Sequence, residues 1–261
     1  MAQTDDHVLS LHQHAVADRV VGEESARREH VVVYLSGAHA YGFPSPDSDL
    51  DLKAIHIVPT RALLGLEQPV LTVDRAEVID GVEIDYTSNE LANALAGILQ
   101  GNGNFLERVL GRNAFTTSPL HEELRVLAKA ALSRRVHKHY RGFASSQLRF
   151  LERDPIVKKV LYVLRTALTG THLLRTGELE ADLTRLLDDY GLGDARELVA
   201  AKRAGERTAV DPALIETWRP RLATALKGLD DAFARSVLPE APANAAAIEA
   251  WLIETRRSRL M

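Results

Sequence analysis

Residues 31–52 read VVVYLSGAHAYGFPSPDSDLDL and join an apolar run to a glycine-containing turn and two aspartates. The run Val31–Leu35 is typical of a buried β-strand. Side chains two positions apart on a strand point to the same face, so Asp49 and Asp51 direct both carboxylates to one spot. The leucines that follow each aspartate then point to the opposite face. This stretch therefore predicts a strand, a turn and a second strand that presents two acids together.

The two acids and the turn together indicate a phosphate-handling metal site. Two carboxylates this close repel each other unless a cation lies between them. Oxygen ligands suit Mg²⁺, which takes one or two carboxylates together with substrate phosphates. The turn contains Gly37 and Gly42, and glycine-rich turns present backbone N–H groups to phosphate. A solvated strand end beside an ordinary tight turn is the alternative interpretation of the same residues.

Composition restricts the class of protein. The chain has 261 residues, of which 46% are apolar, and its net charge is −4 from 32 basic and 36 acidic residues. This balance argues against a globally basic nucleic-acid binder but is compatible with a local basic patch. The absence of cysteine excludes disulfides and cysteine-ligated zinc. With no secretory signal and no apolar run near the ~20 residues that span a bilayer, we expect a cytoplasmic protein without membrane association.

Strand signals are concentrated in the first part of the chain and helix signals in the rest. Asp80-Gly81 marks a hairpin, and Ser88 is expected to cap a helix over residues 89–100. We expect an α+β fold in which residues 1–118 form an α/β domain and residues 119–261 an all-α domain. Helices are predicted at 120–152, 156–176, 179–190, 194–205, 211–236 and 244–258.

Several motifs resemble one protein family. Gly37-Ala38 followed by Asp49-Leu50-Asp51-Leu52 resembles the signature of the DNA polymerase beta-like nucleotidyltransferases. The longer pattern from His39 to Asp49 is similar to the RNA-repair-pathway branch of that superfamily, also called the YcgL type. Further segments that resemble this branch lie at residues 101–107, 164–165 and 173–178.

The resemblance implies a fold and an activity. It implies a catalytic domain with a small mixed sheet, and a helical domain that closes over the nucleotide. It also implies transfer of a nucleoside monophosphate from an NTP to an acceptor hydroxyl, with an RNA as the expected acceptor and pyrophosphate as the product. The expected cofactor is Mg²⁺, as two ions, with Mn²⁺ as an alternative.

The resemblance also implies the site residues. Asp49, Asp51 and a third carboxylate on a neighbouring strand would be both catalytic and metal-binding. Asp85 is the choice for the third carboxylate, and Glu83 on the same strand face is the fallback. The residues expected to bind nucleotide are Gly37, Ala38, His39, Ser48, Lys158 and Arg165.

One position departs from the family pattern. The family has a serine directly after the glycine, where this chain has Ala38. Loss of that hydroxyl removes one hydrogen bond to phosphate, worth roughly 0.5–1.5 kcal/mol in the neutral case. His39, next to it, either faces the phosphates or is a polar turn residue.

Two predicted helices carry polar faces. Both faces are compatible with contacts to a nucleotide or polyanion, and equally with ordinary solvated surfaces. The helix over 156–176 has a polar stripe at helical spacing: Lys158, Tyr162, Arg165, Thr169 and His172. The preceding helix places Arg134, Lys138 and Arg141 on one face.

Two other classes of function compete with RNA nucleotidyl transfer. In the first, the nucleotide is transferred to a small molecule or to a protein side chain. In the second, the chain is a non-catalytic nucleotide- or RNA-binding module, and Ala38 is the residue that favours it. The presence of all three carboxylates favours an enzyme.

Overall fold

The computed structural model describes residues 9–205 and 212–260. Among these residues, five strands form one mixed sheet in the order β3-β4-β2-β1-β5. The strands are β1 (Glu29–Leu35), β2 (Leu50–Ile57), β3 (Thr72–Ile79), β4 (Val82–Glu90) and β5 (Ala114–Thr117).

The sheet is mixed because one central pair of strands is parallel. β1 pairs antiparallel with both β2 and β5, and β3 pairs antiparallel with β4. β2 and β4 run parallel, in a register that sets Asp51 beside Asp85. β2 begins at Leu50, so Asp49 lies immediately before the strand. The predicted strand is therefore present with Asp51 in it, while Asp49 lies one residue before its start, and β4 lies directly beside it.

The hairpin between β3 and β4 forms where the sequence predicts it. Asp80 and Gly81 have φ values of 49° and 82°, the conformation that a two-residue hairpin turn requires. The predicted helix cap at Ser88 is wrong, because β4 continues to Glu90. The Glu90 carboxylate accepts a hydrogen bond from the Ala92 amide at 2.7 Å and caps the next helix instead.

The helical part agrees with the prediction for its long helices and differs for its short ones. The predicted helix over 120–152 is two helices, because residues 131–135 form a turn between them. The predicted helix over 179–190 is reduced to one short turn, and β5 was not predicted. The helices are α1 (Leu11–Ser25), α2 (Gly37–Ala40), α3 (Thr60–Leu64), α4 (Leu91–Leu99), α5 (Gly103–Leu110), α6 (Pro119–Ala130), α7 (Val136–Arg153), α8 (Val157–Thr176), α9 (Leu183–Leu186), α10 (Arg196–Arg203), α11 (Pro212–Ala234) and α12 (Ala245–Arg257), with a 3₁₀ turn at Gly193–Ala195.

The core consists of three apolar clusters. One cluster packs α1 against the face of the sheet that carries Leu50, Leu52 and Ile84. A second surrounds α8, which is buried along most of its length. The third contains residues from both parts of the chain, including Val32 and Leu173. The two parts therefore share apolar packing.

This arrangement confirms the expected α+β fold class. The described strands all precede residue 118, and the longest helices follow it. The division into domains at that residue stays a prediction, because the third cluster crosses it. None of the helices within residues 9–205 and 212–260 combines the length and apolar character needed to cross a membrane.

Candidate active site

A cavity of about 630 Å³ lies between the acid-bearing face of the sheet and the helices α7 and α8. Its volume falls within the range of small-ligand sites. Because α1 covers the other face of the sheet, the acids of β2 and β4 are directed toward the helical part. The cavity is lined by Asp47, Asp49, Asp51, Glu83, Gln147, Asp154, Ile156, Lys158, Lys159 and Tyr162.

The parallel pairing of β2 with β4 forms the acid cluster. Asp51 and Asp85 are partners in the register, so their side chains leave the same face on adjacent strands. Lys53 lies two residues after Asp51 and shares that face. Its Nζ lies 2.8 Å from Asp85 Oδ2 and 3.5 Å from Asp51 Oδ1. The Lys53 ammonium thus lies between two of the three predicted metal-binding carboxylates.

Asp51 lies in an environment that disfavours the ionised form of its carboxyl group. Burial, and after it the negative charges of Asp49 and Asp85, together raise the pKa of its carboxyl from 3.8 to about 6 against the opposing effect of Lys53. The ionised carboxylate is therefore insufficiently neutralised by the protein alone. A cation bound beside Asp51 would relieve this repulsion.

The glycine turn lies directly beneath Asp51. Gly37 has a φ of +63°, and a Cβ atom built on it would overlap the Asp51 carboxylate. The Ser36 amide donates a hydrogen bond to the Asp51 carbonyl at 2.8 Å. The turn and the acid strand are therefore packed backbone to side chain, which requires glycine at position 37.

Arg165, which is predicted to bind nucleotide, lies in the core beside the cavity. Its side chain is buried, does not line the cavity, and pairs with the buried Glu107 carboxylate of α5. The Tyr140 hydroxyl donates a hydrogen bond to the same carboxylate at 3.1 Å. A buried guanidinium requires a carboxylate partner, which Glu107 supplies, and a role of Arg165 in nucleotide binding stays a prediction.

Arg165 is connected to the cavity through two aromatic rings, those of Tyr41 and Tyr162. Its guanidinium carbon lies 3.6 Å from the centre of the Tyr41 ring. The Tyr41 ring meets Tyr162 edge-on at 5.7 Å, and Tyr162 lines the cavity. The Tyr41 hydroxyl lies 3.4 Å from Ser36 Oγ, at the start of the glycine turn. The buried ion pair is therefore linked to both the turn and the cavity wall.

The other predicted nucleotide-binding residues differ in their placement. Lys158 lines the cavity. His39 and Ser48 are buried and are not among the described lining residues; Ser48 Oγ accepts a hydrogen bond from the Ser45 amide at 3.0 Å. Ala38 packs in the apolar cluster around α8, where a serine hydroxyl would be surrounded by apolar groups. The prediction that these residues bind nucleotide stays untested.

The predicted polar faces are largely internal contacts. Thr169 is fully buried, so the stripe on α8 is not a solvated face. Arg134 donates hydrogen bonds to the Leu238 and Ser236 carbonyls, at 3.1 and 3.3 Å. Arg141 pairs with Asp230 at 3.0 Å. Two of the three basic residues predicted to contact a polyanion therefore hold α7 and the turn before it against α11 and the segment that follows α11.

Sequence reasoning missed Lys53 and most of the helical wall. The signal for Lys53 was present, because it continues the i, i+2 alternation of Asp49 and Asp51. Lys159 and Asp154, which form an ion pair at the cavity wall, had no comparable signal. Their position depends on how α8 packs against the sheet, which spacing along the chain does not reveal.

The donor set of the cavity fits a hard divalent cation. No three His, Cys, Asp or Glu side chains within the described ranges 9–205 and 212–260 are grouped as a metal site. However, the lining carries five carboxylates and two lysine ammonium groups. This excess of negative charge repels an anionic nucleotide unless cations enter with it. Carboxylate oxygens are the ligands that Mg²⁺ prefers.

Comparison with known proteins gives one family and a small set of similar chains. A model described as the RNA repair pathway DNA polymerase beta family matches residues 13–254. An uncharacterized protein of Methanocaldococcus jannaschii is 30% identical over 166 residues, covering 61% of this chain and 67% of that protein. The uncharacterized protein YcgL of Bacillus subtilis is 28% identical over 213 residues, covering 74% of this chain and 80% of that protein.

A solved structure is also similar, at a lower level. The crystal structure of a nucleotidyltransferase-like protein from Exiguobacterium sibiricum aligns over 94% of this chain and 80% of its own, with 12% identity and a TM-score of 0.35. This likeness is too low to carry an argument. The family match at residues 13–254 covers nearly all of the 261 residues and confirms the resemblance seen in the sequence: the chain belongs to the RNA repair pathway DNA polymerase beta family.

Proposed function

We propose that this protein is a nucleotidyltransferase that moves a nucleoside monophosphate from an NTP to an acceptor hydroxyl, with an RNA as the acceptor. The observation that carries the proposal is the acid cluster on β2 and β4 beside a cavity of about 630 Å³. Asp49 and Asp51 line that cavity, and Asp85 is the register partner of Asp51. The family to which the chain belongs supports the same assignment.

Each part of the cavity then has a role. Asp49, Asp51 and Asp85 would hold Mg²⁺, or Mn²⁺ in its place. When bound, such ions neutralise phosphate oxygens and lower the pKa of an attacking hydroxyl. The acceptor oxygen forms a bond to the α-phosphorus, and the bond to the leaving pyrophosphate breaks. Tyr162 and Lys158 on α8 form the wall opposite the acids, where Lys158 supplies positive charge to the triphosphate.

Asp85 is favoured over Glu83 as the third carboxylate, because Asp85 and not Glu83 is the direct partner of Asp51 across the parallel pair. Glu83 lies on the same face and lines the cavity. A comparison of Asp85→Asn with Glu83→Gln assigns the role. Loss of transfer in the first variant and retention in the second is the expected result, and the reverse result would give the role to Glu83.

Labelled transfer tests the proposed function directly. The protein is incubated with Mg²⁺ and each α-labelled NTP in turn, together with total RNA. Label on RNA is expected, and it should disappear in Asp49→Ala and Asp51→Ala. Asp18→Asn, on the exposed surface of α1, is the matched control and should transfer at the wild-type rate. Wild-type rates in Asp49→Ala would show that the mechanism proposed here is wrong.

The same experiment separates the alternative functions. Label on protein or on a small molecule from an added extract supports transfer to that acceptor. Binding of NTP without transfer to any acceptor supports a non-catalytic module. One observation favours the non-catalytic alternative. Position 38 is an alanine packed in an apolar cluster, and it therefore offers no hydroxyl to phosphate.

A further inference from the structure

The acid cluster contains a cation of its own, the ammonium group of Lys53. Its Nζ lies 2.8 Å from Asp85 Oδ2 and 3.5 Å from Asp51 Oδ1. It also donates to the Asp85 carbonyl at 3.3 Å and to Thr87 Oγ1 at 3.4 Å. The described contacts of this ammonium group therefore all lie on the two strands that carry the acids.

The strand register places Lys53 there. In the parallel pair, Asp51 is beside Asp85 and Lys53 is beside Thr87, one step further along the same face. Two residues of strand cover about 6.6 Å, a distance that an extended lysine side chain bridges. The side chain of Lys53 is only 17% exposed, so the ammonium group is held against the cluster and away from bulk solvent.

The formal charges of the cluster match the binding of one divalent cation. Asp49, Asp51 and Asp85 carry three negative charges when ionised, and Lys53 carries one positive charge. The remaining charge of −2 is balanced by a single divalent ion. Without the lysine, the charge would be −3 and the space between Asp51 and Asp85 would attract a second ion.

We propose that the Lys53 ammonium holds the place of a second cation between Asp51 and Asp85, so that the nucleotide-free protein binds one divalent ion at its acids and not two. This inference rests on the proposed function, because it assumes that these acids bind metal. Lys53 is a positioning residue in this scheme: it keeps Asp51 and Asp85 oriented and partly offsets their charge before substrate arrives. A second ion can enter only if the ammonium group moves aside.

Counting bound Mn²⁺ tests the proposal without any measurement of activity. Mn²⁺ is titrated into nucleotide-free protein, and bound and free ions are quantified by electron paramagnetic resonance. Wild type is expected to bind one ion, and Lys53→Met to bind two. The double variant Lys53→Met/Asp85→Asn should return to one ion, because the second position has then lost a carboxylate. Lys53→Arg keeps the charge and should bind one ion.

A second lysine at the cavity supplies the matched control. Lys159 also lines the cavity but pairs with Asp154, outside the acid cluster. Lys159→Met removes the same charge and should still bind one ion. Two ions in Lys159→Met would mean that any loss of positive charge recruits metal, and this result would overturn the specific role of Lys53.

The remaining outcomes separate this inference from the proposed function. One ion in both wild type and Lys53→Met, or two ions in both, overturns the inference and leaves the metal-dependent function standing. No Mn²⁺ on either protein overturns both. Thermal unfolding of each variant establishes that it is folded. If Lys53→Met does not fold, Lys53→Gln replaces it, with the same expected count of two.

Discussion

At the scale of single residues, the acid pair depends most directly on Gly37. The positive φ of +63° disfavours any other residue, and the Asp51 carboxylate occupies the space that a side chain would need. Backbone strain and steric overlap thus act at one position. Gly81 in the hairpin turn has a similar φ of +82° but no atom within 4 Å of its would-be Cβ. A side chain at position 81 would therefore meet backbone strain alone, whereas one at position 37 would meet both backbone strain and steric overlap.

Substitution of each glycine by alanine should therefore have different consequences. Gly81→Ala carries backbone strain alone, a cost of about 1–2 kcal/mol in the free energy of unfolding. Gly37→Ala should cost more and should also displace Asp51, so that Mn²⁺ affinity and nucleotide transfer fall. Urea denaturation and Mn²⁺ titration of both variants measure this. Equal stability and full metal affinity in Gly37→Ala would contradict the packing of the turn against Asp51.

The buried His56 should make the free energy of unfolding depend on pH. Burial, and after it the positive charge of Arg28, together lower the pKa of its imidazole from 6.5 to about 4. Its Nδ1 lies 2.7 Å from Ser88 Oγ on the neighbouring strand. The folded protein therefore holds His56 neutral at pH values where the unfolded chain binds a proton.

Because the unfolded chain binds more protons at His56 than the folded protein does, a fall in pH destabilises the folded protein. As the pH falls from 6.5 toward 4, His56 should lower the free energy of unfolding by up to about 3 kcal/mol. His56→Gln should lose this component of the pH dependence, as measured by urea denaturation at a series of pH values. His12→Gln, which changes an exposed histidine of α1, should retain it. Parallel pH profiles for wild type and His56→Gln would refute the prediction.

At the scale of secondary-structure elements, the buried pair of Arg165 and Glu107 joins α8 to α5. Both side chains are about 4% exposed. Glu107 also accepts the Tyr140 hydroxyl of α7. Three helices therefore meet at one carboxylate, and the pair positions α8, whose first turns form the wall of the cavity.

Removing one partner of this pair should be costly. Arg165→Met leaves Glu107 buried without its counter-charge, which should lower the free energy of unfolding by about 3–5 kcal/mol. The double variant Arg165→Met/Glu107→Leu should lose less than the sum of the single variants. Lys129→Met breaks an exposed pair with Glu178 and should cost less than about 1 kcal/mol. Strict additivity in the double variant, measured by urea denaturation, would exclude a coupled pair.

Arg165 also illustrates what the sequence could and could not predict. Helical periodicity placed it correctly on one face with Lys158 and Tyr162, but periodicity does not reveal what that face meets. The strand with Asp49 and Asp51 was predictable because alternation on a strand depends only on neighbouring residues. Contacts between α8 and the sheet depend on residues far apart in the chain, so the cavity wall was predicted only in part.

Secondary-structure elements were likewise predictable where local sequence determines them, and not where pairing with a distant strand does. The Asp80-Gly81 turn and the long helices were predictable from local signals. β5 is four residues long and exists because β1 offers it a free edge, a condition that no local pattern shows. The Ser88 cap was wrong because pairing with β2 extends β4 to Glu90. Tertiary pairing overrode a local preference at each of these points.

At the scale of the whole molecule, helix α12 contacts the sheet and packs against residues from both parts of the chain. Arg256 pairs at 3.0 Å with Glu90, a buried carboxylate at the end of β4. The Thr60 hydroxyl donates to the Arg256 carbonyl at 2.8 Å. Ile248 belongs to the apolar cluster that spans both parts. Helix α12 is thus packed into the apolar core that both parts of the chain share.

Two adjacent arginines allow a matched test of this contact. Arg256→Met leaves Glu90 buried without its partner, and we expect a loss of about 3 kcal/mol in the free energy of unfolding. Arg257 pairs only with the neighbouring Glu254 on the surface among its described contacts, and Arg257→Met should change stability by less than about 0.5 kcal/mol. Chemical denaturation of both variants checks this. Equal effects would mean that α12 does not support Glu90.

The parallel register of β2 and β4 has a consequence for fidelity during folding. The two faces of this strand pair are chemically opposite, with leucine, isoleucine and tyrosine under α1 and the acids with Lys53 on the other side. A slip of either strand by one residue would exchange the faces and bury Asp51 or Asp85 in the apolar cluster beneath α1. The charges that repel each other in the native sheet therefore destabilise the misregistered sheet far more, so Asp51 and Asp85 also disfavour misfolding.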